Sequence, residues 1–161
     1  MLNLKPEFCL KLIFLFSFIA LISAFFIEYV LGHQPCNLCL IERIPYGLSI
    51  IIITAIFLIN KNQKFLVLLL ILTFIFSFAI SFYHYGIEQG FFQESSVCDV
   101  KSLPENITKE HLLKQLSEKS ISCRDVTFKI FGLSLTSINI VISFLFIITL
   151  LKIFKKYEKN R

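Results

Sequence analysis

Four cysteines carry the chemistry available to this chain. Cys36 and Cys39 form a Cys-Asn-Leu-Cys pair just after a long apolar segment, and Cys98 and Cys123 lie in the long polar loop. A Cys-x-x-Cys pair is either redox-active or two ligands of a zinc site. An electron pair can pass between two cysteine pairs by thiol–disulfide exchange. Zinc needs four N or S ligands, and Cys98, Cys123, His33 and His84 would have to complete it. Cys98 and Cys123 are far apart, with no second close pair, so zinc-ribbon spacing is absent and no metal ligand is assigned. A structural staple between Cys98 and Cys123 would be worth about 3–4 kcal/mol in the chain-entropy model. That reading leaves Cys36 and Cys39 unexplained, whereas a redox reading uses all four.

The surroundings of Cys36 and Cys39 favour exchange. A Cys-x-x-Cys at a helix N-terminus is poised by the helix dipole and by a nearby cation, both of which favour thiolate. Arg43 follows Cys39 by one helical turn, on the same face if the helix starts there. A charge where an apolar span begins needs a reason. Electrons collected there also need an outlet. The chain has no haem motif, no Rossmann glycine pattern and no flavin signature. A lipid-soluble quinone is the remaining acceptor, with Arg43, Glu42 and His84 as polar groups at about the right depth.

These residues must be held by membrane spans. The 161 residues are 56% hydrophobic, with 19 Phe and 5 Gly, against about 45–50% apolar for a soluble domain. The excess falls in four blocks: about 12–31, 44–60, 65–85 and 131–151. Each is about 17–21 residues, long enough for a helix to cross a bilayer core of roughly 30 Å. Backbone polar groups in lipid must be satisfied within the segment, so the blocks read as helices. Pro45 is expected in the first turn of the second helix, where its missing N–H costs nothing. The first block is too long for a signal-peptide core, and no small-x-small cleavage site follows it, so it reads as an uncleaved span. The expected fold is all-α, one integral membrane domain over 1–161. It is a four-transmembrane-helix bundle with a short Cys-x-x-Cys outer segment and one long outer loop over 86–130.

Charge sets the orientation. The net charge of +5 is not one patch, which argues against nucleic acid. Lys5, Lys11, Lys61, Lys64, Lys152, Lys155, Lys156, Lys159 and Arg161 flank the apolar blocks and mark the cytoplasmic side. The segment between spans one and two offers only Arg43, and the basic residues of the long loop are accompanied by seven acidic ones. Both termini are therefore expected in the cytoplasm, with both cysteine pairs outside. The outer face of a bacterial inner membrane is a compartment where disulfides persist. Cys9 falls near the opposite face and stays outside the relay.

At these residues the chain resembles the disulfide bond formation protein B family, the membrane thiol:quinone oxidoreductases. Gln34-Pro35-Cys36-Asn37-Leu38-Cys39-Leu40-Ile41-Glu42-Arg43 looks like that family's first outer segment. Tyr83-His84-Tyr85-Gly86-Ile87-Glu88-Gln89-Gly90 looks like its third-helix exit. Cys123-Arg124-Asp125, and Phe131-Gly132-Leu133-Ser134-Leu135 through Asn139, look like its approach to the fourth helix. The resemblance implies that Cys98 and Cys123 form the disulfide facing a periplasmic thioredoxin-fold dithiol oxidase of the DsbA kind. It implies transfer from that partner to Cys98, from Cys123 to Cys36, and then from Cys39 to a membrane quinone, ubiquinone or menaquinone. Arg43 would hold the Cys39 thiolate and the quinone oxygens, with Glu42 and His84 lining the pocket. Vitamin K epoxide reductase-type enzymes also combine a Cys-x-x-Cys with a loop pair, but there the loop pair comes first. A zinc-binding or disulfide-stapled scaffold is the non-enzymatic alternative.

In the long loop, Ile107, Leu112, Leu113 and Leu116 lie among Lys109, Glu110, Lys114 and Glu118. This spacing suits a short amphipathic helix on the membrane surface, too short to be stable alone. Its expected role is to control how closely Cys123 approaches Cys36. Making Leu113 and Leu116 polar should slow electron transfer between the pairs, and unchanged partner re-oxidation with quinone would sink the idea.

Overall fold

The computed structural model describes residues 5–59, 62–93, 98, 122–124, 129–130 and 132–159. It contains helices α1 (Pro6–Tyr29), α2 (Asn37–Leu58) and α3 (Gln63–Glu88), a two-residue antiparallel pair β1 (Lys129–Ile130) and β2 (Leu133–Ser134), and helix α4 (Leu135–Lys159). All four helices are long and apolar enough to cross a membrane. The expected loop helix around Leu112–Leu116 lies outside the described residues.

The helix limits differ from the apolar blocks for local reasons. α1 starts early because Pro6 sits in its first turn, where proline is pre-shaped for a helix. α2 starts at Asn37 rather than near Ile44. Cys36 caps it, its sulfur accepting from the Cys39 N–H at 3.3 Å. Pro45 therefore lies inside α2, not in its first turn, and the Ile41 carbonyl loses its usual helical donor. α3 runs beyond Tyr85 to Glu88. α4 starts at Leu135, not near Phe131, because Lys129 pairs with Ser134 and Ile130 with Leu133 in the β ladder. Gly132 takes φ +82° in the turn of that ladder, a conformation glycine adopts freely.

α3 is the central helix, packed against both α2 and α4, with α1 laid on α2. Val67, Leu70, Ile71 and Phe74 of α3 form the core with Ile53 and Ile56 of α2, Leu10 and Ile13 of α1, and Leu150 and Ile153 of α4. The Phe74 ring meets Tyr46 and Phe146 edge-on. Phe18, Ile51, Phe76 and Phe144 point outward, as a lipid-facing surface requires. Lipid tails are as apolar as leucine, so close packing and interhelical hydrogen bonds must hold the helices together. Serines supply both: Ser17 with Ser49 joins α1 to α2 at 2.9 Å, and Ser77 with Ser143 joins α3 to α4 at 3.1 Å.

The two ends of the bundle are chemically unlike. One carries the lysine side, with Lys64 paired to Glu158 at 3.8 Å and set over the Phe154 ring. The other carries Cys36, the last turns of α3 and the start of α4. There the chain leaves α3 by folding back, and the Gly86 carbonyl accepts from the N–H groups of Phe91 and Phe92. A methyl group at Gly86 would overlap the Phe92 ring, which stacks on Tyr83.

Overpacking a close helix contact costs about 1–3 kcal/mol. Ser143→Leu should thus lower the unfolding temperature in detergent, whereas Phe144→Leu on the lipid face should leave it nearly unchanged. Equal effects would contradict the packing described.

Candidate functional site

Cys98 and Cys123 form a disulfide with their Cα atoms 5.5 Å apart. Both are buried, and they pack in one cluster with Cys36, Leu38 and Ile87, flanked by Cys39, Ile41 and Tyr83. The loop pair thus sits against the N-terminus of α2. With its sulfurs joined, it is not free to complete a zinc site with Cys36 and Cys39. Cys36 and Cys39 are thiols in this structure.

Cys36 lies where α2, α3 and α4 meet. Its sulfur is 3.6 Å from Nε2 of His84. Nδ1 of the same ring is 2.8 Å from Oε1 of Glu42 and 3.3 Å from Oγ1 of Thr136. His84 is 2% exposed, so it is not an aromatic-belt residue at the interface. The second oxygen of Glu42 accepts from Nδ2 of Asn139 at 3.1 Å, and Nδ2 also donates to Ser81 at 2.7 Å. The Tyr46 hydroxyl donates to Oδ1 of Asn139. Thr136 donates to Oε1 of Glu88 at 2.6 Å. In low dielectric such a network rigidifies only if its members are satisfied.

The cap geometry decides which thiol ionises. Hydrogen bonding by Cys39 to the Cys36 sulfur pulls the Cys36 thiol from its usual 9.0 down to about 5, against the upward push of burial. His84 lowers it further by hydrogen bond and charge. A hydrogen bond to the charged form always acts in this direction. Cys36 is thereby set up as the thiolate of the reduced pair.

Cys39 flanks that cluster and also reaches a second space. It opens on a cavity of about 250 Å³ between α1, α2 and α4, whose polar lining includes Glu42, Arg43, Tyr46, Thr136 and Asn139. Its walls are apolar, among them Phe16, Leu21, Ile27, Ile138 and Ile142. Arg43 is paired with Glu28 of α1 and lies over the Phe25 ring at 5.3 Å. Glu28 and Phe25 thereby hold its guanidinium beside the cavity. The size falls just below the ~300–1,000 Å³ of common ligand pockets, suited to one substituted ring. Hydrogen-bond donors at one end, apolar walls and a thiol beside them match what a quinone ring requires.

Every site residue expected from the sequence falls at this end of the bundle. Cys39, Glu42 and Arg43 share one face of α2 and line the cavity, while His84 stands behind Glu42 and touches Cys36 instead. Glu28, Tyr46, Ser81, Glu88, Thr136 and Asn139 had not been singled out for the site. Glu28 and Glu88 did carry a signal, since an acidic residue at the end of an apolar span needs an explanation. Tyr46, Ser81 and Thr136 gave none, because such residues are common in membrane helices.

Two comparisons bear on this arrangement. The family model of disulfide bond formation protein DsbB matches residues 6–153. An uncharacterized protein of Rickettsia prowazekii (strain Madrid E) is 32% identical over 136 residues, covering 83% of this chain and 79% of that protein.

The reduced chain should carry one thiolate at pH 7, read by its ultraviolet absorbance. The signal should fall as the pH drops through about 5 and vanish in Cys36→Ser. A midpoint near that of an ordinary thiol would contradict the cap geometry.

Proposed function

The chain belongs to the disulfide bond formation protein DsbB family, and from that premise we propose that it re-oxidises a periplasmic thioredoxin-fold dithiol oxidase and delivers the electrons to a membrane quinone. Family membership makes it an oxidoreductase of disulfide bond formation and a multi-pass protein of the bacterial inner membrane. The soluble partner, the quinone and the periplasmic side of the cysteines are what we propose beyond that membership.

One observation carries it. Cys36 packs with Cys98 and Cys123, while Cys39 opens on the cavity. The two sulfurs stand side by side, and of the two only Cys39 also lines the cavity. A partner thiolate attacks Cys98, the Cys98–Cys123 bond breaks, and Cys123 leaves as thiolate. The partner's second thiol closes its own disulfide and releases Cys98. Cys123 attacks Cys36 of an oxidised Cys36–Cys39 pair, and Cys39 is released as thiolate toward the cavity. Attack by Cys98 on Cys123 restores the loop disulfide and leaves Cys36 and Cys39 reduced. A bound quinone supplies the acceptor for two electrons and two protons. The net change is a partner dithiol oxidised to a disulfide and a quinone reduced to a quinol.

The remaining residues serve this handover. Arg43, held by Glu28, places a cation on the cavity that Cys39 also lines. Glu42 fixes the ring of His84 through Nδ1, which leaves Nε2 facing the Cys36 sulfur. The apolar packing around Cys36 keeps competing thiols and water from the exchanging sulfurs. Both termini are taken as cytoplasmic and both cysteine pairs as periplasmic, which puts the site within reach of a soluble partner.

The test is anaerobic incubation of the oxidised protein with a reduced thioredoxin-fold partner and a soluble quinone. Quinone reduction should be lost in both Cys39→Ser and Cys98→Ser. Retained turnover in either variant would refute the relay.

A further inference from the structure

We propose that, once reduced, Cys36 and Cys39 form with His84 a binding site for a thiophilic divalent cation of the zinc class, a site that disappears when the pair is oxidised. Three independent features point to it. The sulfurs of Cys36 and Cys39 and a ring nitrogen of His84 all lie within 4.8 Å of one another. Around one tetrahedral zinc, with bonds of about 2.0–2.3 Å, ligand atoms stand roughly 3.3–3.8 Å apart. The 3.6 Å between the Cys36 sulfur and Nε2 of His84 already has that spacing, and small side-chain movements complete the set.

The second feature is Glu42. Its carboxylate holds Nδ1 of His84 at 2.8 Å, which fixes the tautomer and leaves Nε2 free to coordinate. Metal-binding histidines are commonly oriented in this way. The third is Glu88. Its side chain is 5% exposed, and Oε1 lies 3.9 Å from Nε2 of His84. Its other oxygen, Oε2, is buried without a hydrogen-bond partner among the described residues. A buried carboxylate oxygen without a partner is costly, and a cation held by the two thiolates and His84 would bring positive charge toward it.

The redox dependence follows from bond lengths. A disulfide draws its sulfurs to about 2.05 Å and leaves no thiolate to coordinate. Oxidation of Cys36 and Cys39 therefore removes two of the three ligands at once. Resting on the proposed function, the consequence is arrest. A cation that holds both thiolates blocks transfer of their electron pair to the cavity side, and it can do so only after that pair has arrived.

Equilibrium dialysis against Zn²⁺ tests this in the full chain carrying Cys98→Ala and Cys123→Ala, so that only one pair changes state. The dithiothreitol-reduced protein, freed of reductant, should bind one ion per chain, and the same protein oxidised by diamide should bind none. This comparison needs no mutation in the site and is insensitive to folding defects. Glu42→Gln should weaken binding by about 10–100-fold, the usual effect of losing a carboxylate that orients a ligand histidine. Cys36→Ser should abolish it, whereas Cys9→Ser should not change it. Reduced protein that binds no Zn²⁺, or binding that survives oxidation or Cys36→Ser, would overturn the proposal. Because the readout is metal content, quinone reduction without zinc binding would sink this inference alone. Zinc binding without quinone reduction would sink the proposed function alone.

Discussion

The carboxylate of Glu42 is the contact on which the functional end of the bundle depends. It projects from α2, and its two oxygens reach His84 on α3 and Asn139 on α4. Three helices thereby meet at one charged group inside an otherwise apolar assembly. Lipid offers no competing hydrogen bonds, so this group must find its partners within the protein. Tyr46, Ser81 and Thr136 extend the same network. Elsewhere serine pairs, apolar packing and the Arg43–Glu28 and Lys64–Glu158 ion pairs join the helices two at a time. Removing the carboxylate would loosen the ring of His84 and leave the amide nitrogen of Asn139 with Ser81 as its acceptor.

The division of labour between the two thiols follows from where α2 begins. Capping by Cys36 puts the first sulfur at the helix terminus, in the apolar cluster with the loop disulfide. The second sulfur, three residues on, lies beside the first and also lines the cavity. A Cys-x-x-Cys in an extended strand would place its sulfurs on opposite faces without ionising either one in preference. Here the backbone N–H of Cys39 and the ring of His84 single out Cys36. Arg43, one turn beyond Cys39, is available to the other sulfur.

Much of this was legible in the residues. Four apolar blocks gave four helices, and the Cys-Asn-Leu-Cys segment with Glu42 and Arg43 gave the chemistry and its depth. The limits were less legible, because hydropathy is blind to caps. Glu42 and Arg43 kept the apolar block from starting before Ile44, yet the helix begins at Asn37, since buried partners make those charges tolerable inside it. Pro45 was misplaced for the same reason. The partners themselves were hidden. Nothing in the sequence distinguishes Asn139 or Thr136 from other polar residues in a membrane helix, and the Arg43–Glu28 pair links residues from separate helices. The side of the bundle that His84 faces depends on its rotation about α3, which the packing of Phe74 and Ile87 sets.

The fold-back at Gly86 fixes more than a turn. It anchors Phe92 beside Tyr83 at the rim of the bundle, and the chain then has five residues before Cys98. Fully extended, the steps from Phe92 to Cys98 span roughly 20 Å. Cys98 is therefore on a short leash from a rigid post, whatever the rest of the loop does. Under the proposed relay, a soluble protein that exchanges with Cys98 must come within that tether of the bundle. The bilayer plane then becomes part of the recognition, favouring partners whose reactive sulfur protrudes beyond their own bulk.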